Sequence, residues 1–193
     1  DIRIHMQIEK DYNLTTVFTT VKHEISRATL DKRHPFRYVV LGTEAAPVAM
    51  RYVVLRKVDD SLNLTLYTDH RSGKIHQLNA EPRAQLLFYH PGKKVQVMIN
   101  GTATQQHEDT KALQHWQNEL RDARKADAST LAPGTSIKQP KDAYIWNSPM
   151  TAEHFTVIQF EPTRVEVLQL SGLEHLRAVF SKESSWNGTW VVP

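Results

Sequence analysis

Arg51, Ser72 and Lys74 carry the clearest chemical signal in this 193-residue chain, and the chemistry is the seating of an anion. They lie in RYVVLRKVDDSLNLTLYTDHRSGK, where Arg51 opens an apolar, β-branched run and VDDSLNL reads as a hairpin into a second run. That run ends at Tyr67-Thr68 and is followed at once by Asp69, Ser72 and Lys74. Two strands that bring Arg, Thr, Ser and Lys to one end, beside a helix start, form a phosphate seat. Main-chain N–H groups and the positive end of the helix dipole favour the anion, and Lys or Arg completes its neutralisation. Taken singly, each residue also has an ordinary reading: Arg51 as a surface strand residue, Ser72 as an N-cap, Lys74 as a solvated first-turn lysine.

The elements that must position these residues follow from periodicity. Leu14, Val17, Phe18, Val21, Ile25 and Leu30 fall near helical spacing and predict one amphipathic helix over about 14–31, its apolar face turned to core or dimer packing. Phe36–Thr43 and Val48–Val58 predict two strands joined by a turn containing Gly42 and Pro47, and Leu62–Thr68 alternates as a half-buried strand. Ser72–Ala80 predicts a short helix stopped by Pro82, followed by a strand over Ala84–Tyr89 and a turn at Pro91–Lys94. Val95–Gln105 predicts a long strand in which Gly101 marks a bulge or bend. A second helix is expected over Asp109–Lys125, then a loop over Ala126–Pro149. Strands over Phe155–Phe160, Arg164–Leu170 and Leu176–Ser181 complete the pattern, which ends in Trp190–Pro193. Many short strands with few helices between them predict a mainly β (α+β) fold, an antiparallel barrel with flanking helices, in one domain over 1–193.

Composition narrows the function. The chain has no cysteine, which removes disulfides, thiol nucleophiles and thiolate metal sites and suits a cytoplasmic protein. Its 24 basic and 21 acidic residues are interspersed, so nucleic acid is not the expected partner. No apolar run approaches the ~20 residues of a membrane span, so no membrane is expected either. His70 and His76 flank the Ser72 helix start but match no ligand pair, and no serine sits in a nucleophile elbow. No metal is expected, and no protein group stands out as catalytic.

From about Arg33 onward the sequence resembles the pyridoxamine 5′-phosphate oxidase family of FMN-binding split barrels. RYVVLR resembles its Arg-x-Val-x-Leu-Lys strand; YTDHRSGK followed by HQLNAEPRAQLLFY resembles its Tyr-Thr-Asn-x-x-Ser-Arg-Lys turn, helix and next strand; VQVMINGTA resembles its Gln-Val-x-x-x-Gly strand. The resemblance implies FMN as cofactor, a small-molecule substrate and a homodimer with the flavin between subunits. It implies that Arg51, Ser72 and Lys74 hold the FMN phosphate, and that the main chain of Tyr52, Val53, Val54 and Leu55 runs along the isoalloxazine ring. Tyr67 and Thr68 would close the pocket near the ribityl chain, and Gln96 and Gln139 would hydrogen-bond flavin polar atoms. Arg177 would stand near the ring, as a cation that stabilises the reduced flavin. Arg56, at the strand end, would meet substrate.

The departures are specific. The Ser-Arg-Lys turn reads Ser72-Gly73-Lys74, which leaves Arg71 or Arg51 to compensate. The strand-end lysine is Arg56, which keeps charge and changes geometry. The Trp-Gln pair is Leu168-Gln169, and the Arg-x-His of the substrate grip is absent from Glu174-His175-Leu176-Arg177. The helix after Gly101 lacks the Tyr-x-x-x-Arg-x-x-x-Ser pattern, with Trp116 and Arg121 at another spacing. The expectation is an FMN-dependent oxidoreductase of divergent substrate. A flavin-carrying or sensor protein without turnover, and a split barrel binding haem or a deazaflavin, are the alternatives.

Overall fold

Two apolar faces close on each other to make the core: the inward rows of a curled antiparallel sheet and one stripe of an N-terminal helix. A computed structural model describes residues 8–118, 124–125, 128–170 and 173–193. Helix α1 (Leu14–Leu30) starts at Asn13, whose side chain accepts the Thr16 N–H at 2.8 Å, satisfying one orphan donor of the first turn. Its Val17, Val21, Ile25 and Ala28 are fully buried in the main apolar core, whereas Leu30 is exposed. The helix face therefore serves the core.

The strands are β1 (Tyr38–Thr43), β2 (Ala49–Val54), β3 (Lys57–Val58), β4 (Leu64–Asp69), β5 (Arg83–His90), β6 (Val95–His107), β7 (Phe155–Gln169), β8 (Leu176–Ser181) and β9 (Gly188–Val191). Helices α2 (Gly73–Ala80) and α3 (Thr110–Asn118) lie between them. The sheet runs β2-β1-β5-β6-β7-β4-β3, with β8 and β9 added beside β7, and every pair is antiparallel. The predicted strand Val48–Val58 is two strands, because the chain changes partners in its middle. Leu55 N–H still donates to Arg37 O at 2.9 Å on the β1 side, while Arg56 N–H donates to Thr65 O at 3.0 Å on the β4 side. One segment thus joins both ends of the sheet and closes the barrel, with β2 and β4 not paired to each other.

The two strands predicted at Phe155–Phe160 and Arg164–Leu170 are instead one, β7. It runs through Pro162, whose missing N–H falls opposite Gly101, at the register shift between Asn100 and Gly101. A proline costs no ladder bond where a bulge has already interrupted the ladder. Helix α3 covers Thr110–Asn118; Leu120, Arg121 and the rest of 119–123 lie outside the described residues. Among the described residues no helix is long and apolar enough to cross a membrane.

Three titratable groups, Glu24 buried and His70 and His90 half-buried, tie the stability of the fold to pH. Glu24 on α1 is 1% exposed; burial opposes its ionisation, but hydrogen bonds from His34 and Arg27 prevail and hold its pKa below the ordinary value. His34 Nδ1 accepts the Phe36 N–H, so its other ring nitrogen donates to Glu24 at 2.9 Å. Burial lowers the His70 and His90 pKa values, aided by His107 and His34 respectively. A group whose folded pKa is depressed loses its stabilising effect as pH falls from the unfolded value through the folded one. The urea midpoint is expected to drop first below about pH 6.5, as the unfolded chain protonates histidine, and again below about pH 4.5, where Glu24 contributes. A midpoint constant from pH 7 to 5 would contradict this assignment.

Candidate functional site

The site is built where β2 and β4 part and α2 begins. Along β4, Leu64, Leu66 and Thr68 face the barrel interior, with Thr68 at its end. The turn after Asp69 brings Ser72 back over Thr68: their hydroxyl oxygens are 3.3 Å apart. Ser72 occupies the N-cap position of α2 with extended dihedrals, yet its side chain makes no cap bond. The hydroxyl turns to Thr68 and Lys74 instead, leaving the first-turn N–H groups of the helix without a side-chain acceptor. Lys74 Nζ donates to Thr68 Oγ1 at 2.8 Å and to Ser72 Oγ at 3.3 Å.

Arg51 reaches the same helix from β2. Its guanidinium donates to Gln77 Oε1 at 2.6 Å and to Thr43 Oγ1 at 2.7 Å, with a longer bond to Leu41 O at 3.4 Å. Gln77 stands three residues beyond Lys74, so the two share one face of α2, about 5–6 Å apart at Cβ. Every acceptor of Arg51 is neutral. Burial lowers its pKa with no carboxylate to offset the shift, and a guanidinium stays protonated regardless. A partly buried cation without a counter-charge, one helical turn from Lys74, is the arrangement an anion satisfies.

Among the described residues, β2 pairs only with β1. Because Leu55 and Arg37 form a hydrogen-bonded pair, alternation assigns Val53 and Arg51 to β1 and turns the N–H and C=O of Tyr52 and Val54 to the side away from β1. The side chains of this segment are apolar or exposed: Leu55 is fully buried, Val53 and Val54 half-buried, and Tyr52 73% exposed.

The remaining predicted residues are placed elsewhere. The Tyr67 ring lies on the opposite face from Thr68, packed on Phe155, with its hydroxyl 2.8 Å from His115 Nδ1 on α3. The Arg56 guanidinium sits over that ring, 5.5 Å from its centroid. Gln96 and Arg177 stand in one cross-strand row on the outer face, separated by Leu168. Arg177 is held at 2.8 Å by Glu166, a carboxylate 5% exposed that also pairs with Arg164 at 3.0 Å. Gln139 is exposed on the loop after α3, at the N-cap of a short 3-10 turn over Pro140–Ala143. Within one chain, then, Arg51, Ser72, Lys74 and Thr68 come together around α2, and Gln96, Gln139 and Arg177 do not join them.

Sequence spacing missed Thr43 and Gln77, which orient Arg51, and it left Arg71 open as a phosphate ligand. Arg71 is bound instead by Asp69 and by loop carbonyls. Gly73, in the slot where the resemblance expects arginine, has open space around it: a Cβ built there meets nothing within 4 Å.

The sequence model described as pyridoxamine 5′-phosphate oxidase matches residues 28–169. Among solved structures, a pyridoxamine 5′-phosphate oxidase-related, FMN-binding protein of Nostoc punctiforme PCC 73102 superposes with a TM-score of 0.76 at 22% identity, over 91% of this chain and 96% of that one. PhzG of Burkholderia lata 383, solved with tetrahydrophenazine-1-carboxylic acid, gives a TM-score of 0.71 at 18% identity, over 91% and 92%. A Clostridium acetobutylicum protein related to general stress protein 26 gives 0.57 at 14% identity, over 90% and 99%. At these identities the likeness is one of fold. No curated protein matches the chain.

Proposed function

The chain belongs to the pyridoxamine 5′-phosphate oxidase family, and from that membership we propose that it is an FMN-dependent oxidoreductase acting on a small molecule. The observation that carries the reading is the Arg51 guanidinium, whose acceptors are all neutral, held to the face of α2 that also carries Lys74. That donor set fits a phosphate monoester. Arg51 and Lys74 neutralise it, and Ser72 and Thr68 orient it through their hydroxyls. The main chain of Tyr52 and Val54 supplies donors and acceptors to the polar edge of a planar ring. When bound, the flavin supplies the electron-transfer chemistry; the protein supplies binding, orientation and electrostatics.

The reading includes a homodimer. Gln96 and Arg177 lie on the outer sheet face, away from the seat of their own chain, where a partner's flavin can reach them. The same face carries Pro35, Tyr38, Val40, Tyr52, Leu87 and Tyr89 around an open apolar groove. Tyr38 and Tyr52 are 61% and 73% exposed there, an aromatic surface of the kind subunits bury. Arg56 remains the substrate contact in this reading.

Purified protein mixed with FMN is expected to retain a yellow chromophore through gel filtration, at the elution volume of a dimer. Anaerobic addition of pyridoxamine 5′-phosphate then separates two outcomes. Bleaching identifies the family's named substrate; persistent colour, with bleaching by another reductant, identifies a different one. Persistent colour with every organic donor tried leaves a flavin carrier without turnover, and failure to retain FMN rejects the proposal.

A further inference from the structure

Arg71 precedes Ser72 directly, yet its guanidinium is committed elsewhere. Its main-chain N–H donates to Asp69 Oδ1 at 2.8 Å, Nε donates to the same oxygen at 3.0 Å, and a terminal nitrogen donates to Asp69 Oδ2 at 2.6 Å. Asp69 is 5% exposed at the end of β4, so the carboxylate is a fixed anchor. The far side of the guanidinium takes three successive carbonyls: Ser129 at 2.7 Å, Thr130 at 2.9 Å and Leu131 at 3.4 Å. Those carbonyls open the loop that carries Gln139. The loop is stitched at its base: Ser129 bridges to Trp146, Thr130 N–H donates to Ile145 O at 2.8 Å, and Ser129 Oγ donates to Ala143 O at 2.8 Å. Residues 129–146 thus form a flap with a closed neck, and one side chain fastens that neck to the turn presenting Ser72 and Lys74.

We infer that Arg71 is a positioning residue: it docks the Gln139 flap on the turn that forms the anion seat, so that flap order and ligand affinity are coupled. The inference rests on the reading of that seat as a flavin phosphate site. The planar fork is what the job requires, since one group must chelate a carboxylate on one edge and a run of carbonyls on the other. Lysine keeps the charge and cannot make both sets of bonds. The coupling also runs in reverse, because linkage between two equilibria is reciprocal.

Arg71→Lys tests this, with Asp69→Asn as a second variant that loosens the same fork by a different route. Two readouts are compared with the wild type: the rate of tryptic cleavage after the exposed Lys138 and Lys141, and affinity for FMN and for riboflavin, which lacks the phosphate. Cleavage is expected to accelerate by about fivefold or more, within the usual range of coupling between sites. FMN and riboflavin affinities are expected to fall by the same factor, because the seat itself is untouched. Loss of FMN affinity with riboflavin unchanged would make Arg71 a phosphate ligand and overturn the inference. Unchanged cleavage in both variants would overturn it as well. Should the wild type bind neither flavin, the reading of the seat fails separately, and cleavage alone decides the clamp: acceleration upholds it, and no change rejects it.

Discussion

Arg51→Ala combined with Lys74→Ala is expected to give a colourless protein that is still folded. Each side chain offers a charge-assisted hydrogen bond to a phosphate, worth about 1.5–3 kcal/mol. Loss of both removes about 3–6 kcal/mol, or roughly a hundredfold to more than ten-thousandfold in affinity. The fold is expected to survive because neither residue belongs to the apolar core and the hydroxyl and amide groups bonded to them keep contacts with one another. Thr43 Oγ1 and Gln77 Oε1, the main partners of Arg51, are bonded to each other at 2.6 Å. Thr68 and Ser72, which accept from Lys74, likewise keep their mutual contact at 3.3 Å. Flavin fluorescence titration measures the affinity, and circular dichroism checks the barrel. Riboflavin affinity should change far less than FMN affinity. A double variant that binds FMN as the wild type does would remove the phosphate seat from the account.

Gly101→Val is expected to cost more stability than any change at the seat. A Cβ at this position would lie 2.3 Å from Glu161 O and 2.6 Å from the Phe160 ring. Neither neighbour can retreat: one is main chain of β7, and the other is a fully buried ring. The longest strand pair of the barrel would have to separate at its bulge. The cost should lie at or beyond the upper end of the roughly 1–3 kcal/mol typical of overpacking. For a chain of this length, about 3 kcal/mol lowers the thermal midpoint by roughly 6–12 °C. Gly73→Val is the control, since the space around Gly73 is open. Equal midpoints for the two variants would show that the close approach at Gly101 does not constrain the barrel.

Gly101 also shows what kind of information is local. A glycine inside an otherwise regular strand pattern reads as a bulge or a bend, and the register shift between Asn100 and Gly101 makes it a bulge. The N-terminal helix, the α2 start at Ser72 and the inward Leu64 and Leu66 were legible for the same reason: period and capping are properties of neighbouring residues. The strand expected as half-buried over Leu62–Thr68 is Leu64–Asp69, buried on both faces except at Tyr67, because β7 and its neighbours cover its second face. The break at Leu55–Arg56 was not. An unbroken apolar run gives no sign of where a strand exchanges one partner for another, because that depends on how far the sheet has curled.

The charged residues divide along the same line. Arg51, Arg71 and Arg177 look alike in sequence, each a lone arginine near a candidate motif. Folding assigns them to an amide on α2, a flap neck and a buried glutamate respectively. By itself, then, the sequence carried the family in its motifs, while periodicity and short-range spacing predicted the antiparallel barrel and the residue types gathered at the start of α2. Only the tertiary structure decided which cation has neutral acceptors alone and which is already neutralised. The partners that settle it come from strands and loops distant in the chain, and a hydrogen bond depends on proximity in space alone.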